Sequence, residues 1–407
     1  MRMKRRKAAL GFIFITLLID VTGFGLIIPV MPEFIMELTG ADVSTASRYG
    51  GWLLFSYAIM QFLFAPVLGN LSDRFGRRPV LLLSLLGFSV DYLVQGFAPT
   101  IVWLFIGRIV AGICGSSFTT ASAYIADVSP PEERAKNFGL IGVAFGLGFI
   151  LGPMLGGFLG EWGIRVPFFV AAGLALANAA YGYFILPESL PPEDRRPFEL
   201  RRANPVGSLL HLRKYPAVKG LIATLVLVYI AAHAVQSNWT YFAKEVFDWS
   251  EWMIGLSLGV VGLLVGAVQG GLIRVVNPWL GNANCIYVGL LLYSLGMFLF
   301  AFAVESWMMF AFLVPYCLGG IAGPALQATI SNQVPGNEQG ELQGALTSLI
   351  SVTSIIGPPL MTNLFAWFTD GTVDLYFPGV SFFLGGLLML ASAFFAWQTL
   401  RGRQLAS

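Results

Sequence analysis

The chain has 407 residues, of which 56% are hydrophobic and only 11% charged, whereas soluble proteins carry about a quarter charged residues. This excludes a soluble globular enzyme and predicts an all-α, polytopic membrane protein whose first partner is the lipid bilayer. The net charge of +2 is too small, and its basic residues too confined to loops, to hold nucleic acid.

In chain order, Arg2, Lys4, Arg5, Arg6 and Lys7 precede an apolar run in the manner of a secretory signal. That run reaches Met31, contains Asp20 and lacks a small-residue cleavage site, so it reads as a retained first helix. Apolar runs of roughly 20 residues, the length that crosses a bilayer, lie at about 8–31, 49–69, 79–98, 100–124, 136–160, 166–187, 217–242, 252–275, 283–304, 306–332, 341–368 and 376–399. Twelve spans put both ends on one side. Arg48, Arg165 and Lys244 fall on one face and Arg108 inside a helix; every other Lys and Arg lies in the tails or the alternate loops. Under the positive-inside rule both termini are therefore expected in the cytoplasm.

Between the second and third spans, residues 69–80 read Gly-Asn-Leu-Ser-Asp-Arg-Phe-Gly-Arg-Arg-Pro-Val. Asp73, Arg74, Arg77 and Arg78 require a short solvated hairpin at a membrane face. Gly69 and Gly76 are expected to let two helix ends approach, and Pro79 suits the first turn of the next helix. An arbitrary basic loop would account for the arginines but not for Asp73 or the glycines.

The one long connection, 188–216, is rich in proline and arginine. It divides an N-terminal six-helix bundle (1–187) from a C-terminal one (217–407) as a cytoplasmic linker, with a surface helix expected near 205–212. Trp52 and Arg74 recur as Trp252 and Arg274, and Gly139 with Gly152-Pro153 recurs as Gly344 with Gly357-Pro358. The two bundles are thus expected to be pseudo-symmetric repeats. After Arg274 come Val275, Val276, Asn277, Pro278 and Trp279, so the second copy lacks the hairpin's acid and arginine pair.

A charge within the bilayer costs at least ~2.5 kcal/mol on insertion scales, so those present need a reason. Only Asp20, Asp91 and Arg108 lie deep in predicted spans. Asp20 and Asp91 stand about twelve residues from the cytoplasmic end, ~18 Å into the membrane, and Arg108 reaches a similar depth. A buried carboxylate beside an arginine can be poised between its charged and neutral forms. Asp20 is expected to carry the proton, Arg108 to tune it, and Asp91 to face the cavity as a second acid or a cation-attracting group. The alternative is a static ion pair locking the first, third and fourth spans.

The fifth span carries Gly139, Gly148, Gly152, Pro153, Gly156 and Gly157, small residues on which another helix can pack, with a proline that kinks the chain. Polar and aromatic residues inside spans are candidates for the substrate path: Tyr57, Gln61, Gln236, Asn238, Trp239, Tyr241, Gln269 and Gln327, with the cluster at 236–241 foremost. Asn178, His233 and Asn363 join these candidates, although any one of them singly reads more readily as an interhelical hydrogen bond, and His233 as a packing residue. Cys114, Cys285 and Cys317 show no metal or disulfide spacing, and no cofactor or soluble-enzyme motif is present.

With its hairpin and fifth-span glycines, the chain resembles the tetracycline-efflux branch of the drug/proton antiporters of the major facilitator superfamily. The resemblance extends through Leu18-Ile19-Asp20, Asp91-Tyr92, residues 108–112, Tyr124-Ile125-Ala126-Asp127, Gln269 and Ile356-Gly357-Pro358. It implies proton-driven export of a hydrophobic or amphiphilic drug by alternating access, in a fold that usually works as a monomer. It also implies a gate in which Asp73 lies near the start of the eleventh helix and Arg77 or Arg78 reaches Asp127. The chain departs from that branch in the ninth span, where Leu291-Leu292-Tyr293-Ser294-Leu295 holds no aspartate. It departs again in the eighth, where Gly266 and Ala267 replace a histidine. An uncoupled or importing facilitator of a small metabolite is the alternative function.

Overall fold

The computed structural model describes residues 2–115, 117–130, 133–198, 219–334 and 339–404, so the expected surface helix at 205–212 lies outside them. Among the described residues there is no strand. The N-terminal spans are Arg2–Ile27, Val43–Phe75, Arg77–Gly96, Ile101–Cys114 continuing as Ser117–Val128, Arg134–Gly160 and Val166–Ile185. The C-terminal ones begin with Lys219–Phe247 and Glu251–Ala267. They go on through Ile273–Ala301, Ser306–Leu318 with Ala322–Ser331, Gln339–Trp367 and Val380–Gln404.

Two boundaries differ from the expected loops. The helical run Glu251–Ala301 is 51 residues long, and at 1.5 Å per residue it measures ~75 Å against a hydrocarbon core of ~30 Å. Gly281, at φ 73, breaks it into the eighth and ninth spans. In the first repeat the second span likewise runs on to Phe75, and only Gly76, at φ 104, separates it from Arg77. A left-handed glycine turns the chain in both repeats, so the expected hairpin of about ten residues shrinks to one. A side chain at Gly69 would meet nothing within 4 Å, so only Gly76 acts as the close-turn glycine.

A further helix, Met31–Thr39, follows the first span; Pro32 starts it and Gly40, at φ 65, caps it with an N–H to the Met36 carbonyl at 2.8 Å. Packing repeats between the bundles. The first span lies on the fifth and the third on the sixth, as the seventh lies on the eleventh and the ninth on the twelfth.

As far as the described residues go, the chain forms two compact units that do not follow the halves of the sequence. One holds Met1–Gly40, Ser56–Pro205 and Ser250–Gly259; the other holds Ala41–Phe55, Val206–Trp249 and Val260–Ser407. In the second unit, Ser44 and Thr369 hydroxyls meet at 2.7 Å, Arg48 pairs with Asp370, and Gly50 lies under the Tyr241 hydroxyl. In the first, Gly255 rests on the Pro153 carbonyl and Gly157 on the Glu251 carbonyl. No side chain could stand at either glycine, which is why the sequence keeps them bare.

Candidate functional site

The three intramembrane charges all lie in the first unit, on the first, third and fourth spans. Arg108 Nη2 donates to Asp91 Oδ2 at 3.2 Å, and Gln95 Nε2 donates to Asp91 Oδ1 at 2.7 Å. Asp91 is 0% and Arg108 3% exposed. The expectation that Asp91 faces a cavity is therefore corrected: it is enclosed by its two donors. Gly107 makes this possible, because a Cβ there would stand 2.7 Å from Asp91 Oδ1. The guanidinium also lies over the Tyr57 ring, 5.9 Å from its centroid.

Asp20 is not part of that pair. Its hydrogen-bonding partner is Asn178 of the sixth span, whose amide also exchanges bonds with Thr16: Thr16 Oγ1 to Asn178 Oδ1 at 3.2 Å, and Asn178 Nδ2 to the Thr16 carbonyl at 3.3 Å. Asp20 Oδ1 is shielded from solvent and accepts no hydrogen bond. Tyr92, next to Asp91, brings its hydroxyl against Gly23 on the first span, and both Tyr57 and Tyr92 lie within electrostatic reach of Asp20. Arg108, expected to tune Asp20, is engaged by Asp91 instead, and Asp20 keeps Asn178 as its partner with Oδ1 unbonded. Depth along the helix put all three charges in one layer; the helices' rotation about their axes chose Asp91 as the arginine's partner.

The fifth-span glycines divide by face. Gly148, Gly152 and Gly156 back onto 21–26 of the first span, immediately after Asp20. A Cβ at Gly152 would lie 2.7 Å from Gly25 Cα, and one at Gly156 would lie 2.7 Å from the Leu26 carbonyl carbon. Gly157 faces 251–252 instead, and Gly139 faces open space.

At the hairpin, Arg77 bridges two acids, reaching Asp73 at 2.5 Å and Asp127 at 3.2 Å, and donates to Ser72 Oγ at 2.6 Å. Arg78 turns away to the Tyr183 carbonyl at 2.6 Å, and Arg74 stacks on Phe75. Sequence reasoning missed Glu188. Its carboxylate accepts the first backbone N–H groups of the third span, Arg77 at 2.8 Å and Arg78 at 3.3 Å, and those of Ser189 and Leu190. Gly76 has no side chain with which to cap that helix, so a distant acid does so. A lone glutamate closing the sixth apolar run was the available signal.

In the second unit the expected substrate residues separate. Gln269 and Gln327 line one cavity of about 250 Å3 with Tyr229. Gln269 sits in a single π-helical turn, Val268–Leu272, a distortion common at binding sites. Gln327 donates to Gln343 Oε1 at 2.8 Å. Tyr293, in the stretch without an aspartate, and Gln269 both approach Gly320, the Tyr293 hydroxyl and Gln269 Nε2 each 3.7 Å from where a Cβ would stand. Trp239 is instead stacked edge-on against Phe300 at 5.2 Å and is enclosed with Phe382. Tyr241 is buried against Gly50, and Gln236 is exposed. The expectation for Trp239 and Tyr241 is corrected to packing, because both point into the bundle and not into a cavity. Asn238 is wholly buried, with neither amide atom bonded. In the first unit Gln61 Nε2 donates to Tyr57 Oη and the Gly115 carbonyl, each at 3.4 Å. His233 lies under Gly357 as a packing residue.

Residues 13–314 match the profile of the Major Facilitator Superfamily. The chain is 43% identical over 358 residues to the class C tetracycline resistance protein of Escherichia coli, covering 88% of this chain and 90% of that one. Over 391 residues it is 30% identical to multidrug resistance protein 2 of Bacillus subtilis strain 168, with 93% and 92% covered. Its fold is similar to that of a bacterial homologue of the human lysosomal transporter Spinster in an inward-facing, unoccupied conformation, with a TM-score of 0.76 at 16% identity over 98% and 97% of the chains. The chain therefore belongs to the major facilitator superfamily, in the branch of the tetracycline resistance proteins, and is a membrane transporter, not an enzyme.

Proposed function

We propose that the protein exports a hydrophobic or amphiphilic drug, of the tetracycline kind or similar, across the bacterial inner membrane in exchange for entering protons. Alternating access moves the load, and both termini lie in the cytoplasm, where most of the basic residues fall. The observation that carries this reading is the Asp20 carboxyl, held within the first unit with Oδ1 shielded and unbonded. Arg108 is already engaged by Asp91 and cannot neutralise it. A carboxyl in that position changes its partners when it gains or loses a proton, and it adjoins the glycine face on which the fifth span packs. Protonation thus acts where two helices meet without side chains between them.

Substrate contact falls to neutral hydrogen-bonding groups: Gln269, Gln327 and Tyr229 in one cavity, with Tyr57 and Gln61 in the first unit. Arg77, holding Asp73 and Asp127, serves as the cytoplasmic latch.

The test uses proteoliposomes with an imposed proton gradient and a panel of tetracyclines, fluoroquinolones and lipophilic amines. The transported compound should dissipate the gradient, and Asp20→Asn should abolish this while leaving drug binding and the thermal midpoint close to wild type. A mutant that exchanges protons as fast as wild type removes Asp20 from the mechanism. Drug uptake that runs downhill without moving protons establishes the uncoupled facilitator.

A further inference from the structure

In the second unit a cleft of about 520 Å3 opens where Gly281 breaks the helical run, between the start of the ninth span and the end of the twelfth. Gly281, Asn282, Asn284, Tyr287, Trp397 and Arg401 line it, and its lining holds no carboxylate. The Arg401 guanidinium lies 5.0 Å above the Trp397 ring and has no acidic partner among the described residues. Asn284 spends its Nδ2 donor on the Leu280 carbonyl at 2.9 Å. That leaves the guanidinium, the Asn282 amide, the second Asn284 N–H and the Tyr287 hydroxyl as donors to an occupant.

The depth of the cleft follows from Trp397 in its lining and from Trp279, next in sequence to the lining residue Leu280. Trp279 is 86% and Trp397 43% exposed, and exposed indoles at a span's end sit at the headgroup level of a bilayer. Below the cleft, Val288, Leu291 and Leu295 are all exposed. With Asn284 they fall at helical spacing on one stripe of the ninth span, so a continuous apolar track leads from the cleft toward the membrane interior. A planar guanidinium matches two phosphate oxygens at once, and stacking on an indole fixes the plane of the fork.

We propose that this cleft is a binding site for the phosphate group of an anionic phospholipid, with an acyl chain laid along the 288–295 stripe. The apolar track is what favours a lipid over free phosphate, since the latter has no use for it.

The full-length protein in neutral detergent is titrated with dioctanoyl-phosphatidylglycerol, dioctanoyl-phosphatidylcholine or inorganic phosphate, with thermal midpoint and native mass spectrometry as readouts. Phosphatidylglycerol should stay bound and raise the midpoint at concentrations where the other two do neither. Arg401→Gln should weaken it about fivefold, the factor that ~1 kcal/mol per surface cation represents. Arg274→Gln, exposed and outside the cleft, should leave it unchanged. Equal binding by Arg401→Gln and wild type overturns the site, and equal weakening by Arg274→Gln reduces it to general surface charge. Protection by inorganic phosphate as strong as by the lipid overturns the lipid assignment. Should Arg401→Gln fail to fold, a photoreactive phosphatidylglycerol on the wild-type protein decides. Labelling confined to peptides holding 280–295 and 397–401 supports the site, and labelling spread over other spans overturns it.

Discussion

Asp20 and Asp370 show what one carboxylate does in two surroundings. Asp370 lies beyond the eleventh span, where Thr372 donates to it from hydroxyl and main chain and Arg48 pairs with it. Those Thr372 bonds first, then Arg48, hold its carboxyl below the usual aspartate value. The folded state prefers the ionised form, so the stabilisation is whole above the unfolded value of ~3.9 and is lost as pH falls through the lower, folded one. Asp370→Asn should melt below wild type at neutral pH, with the gap closing as the pH drops below about 4. A gap that persists in acid would assign the loss to something other than ionisation. At this scale the sequence showed which residues bear charge in apolar runs, because insertion makes such charges rare. It could not show partners. Two acids at one depth compete for one arginine, and rotation of the helices decides between them. Nor could it tell Trp239, stacked on Phe300, from an aromatic facing substrate, since both read as an aromatic in a span.

The fifth span is the element on which the proposed coupling depends. Its glycine spacing was legible as a packing surface, and the structure sorts the motif by face. Gly148, Gly152 and Gly156 meet the first span, Gly157 meets 251–252, and Gly139 meets nothing within 4 Å. Gly152→Ala would press a methyl to 2.7 Å from Gly25 Cα and 2.8 Å from the Thr22 carbonyl oxygen, backbone atoms that cannot rotate away. Such overpacking costs ~1–3 kcal/mol in a well-packed core. Drug-driven proton exchange should therefore fall at least about fivefold in Gly152→Ala. In Gly139→Ala it should hold near wild type, both measured at matched protein levels in vesicles. If Gly139→Ala is as damaged as Gly152→Ala, contact with the first span is not what the glycines serve. The hairpin was legible in its charges but not in its length. No pattern of residues announces that Gly76 alone will turn the chain, or that Glu188, more than a hundred positions on, will cap the helix that follows.

On the scale of the molecule, the twelve spans and their six-plus-six repetition could be read from hydropathy and from the recurrence of Trp52 with Arg74 as Trp252 with Arg274. The grouping into compact units could not, because it depends on long-range contacts. The second span passes from one unit to the other between Phe55 and Ser56, and the eighth between Gly259 and Val260. Under the proposed alternating access, 41–55 must part from the eleventh span once in every cycle. A disulfide between Ser44→Cys and Thr369→Cys, whose hydroxyls meet at 2.7 Å, should stop exchange under oxidant and release it under reductant. Unimpaired exchange in the oxidised pair would show that this seam stays shut throughout.

The joint between the first and fifth spans is made of main chain on main chain around Gly25 and Gly152. Neither glycine admits a side chain, so under the proposed function the glutamine-lined cavity can change residues for new compounds while the joint keeps its glycines. The range of drugs tolerated can drift while the machinery that expels them is inherited intact. A small molecule wedged into that joint would meet glycines whose replacement itself breaks the packing, and escape from it would be correspondingly hard.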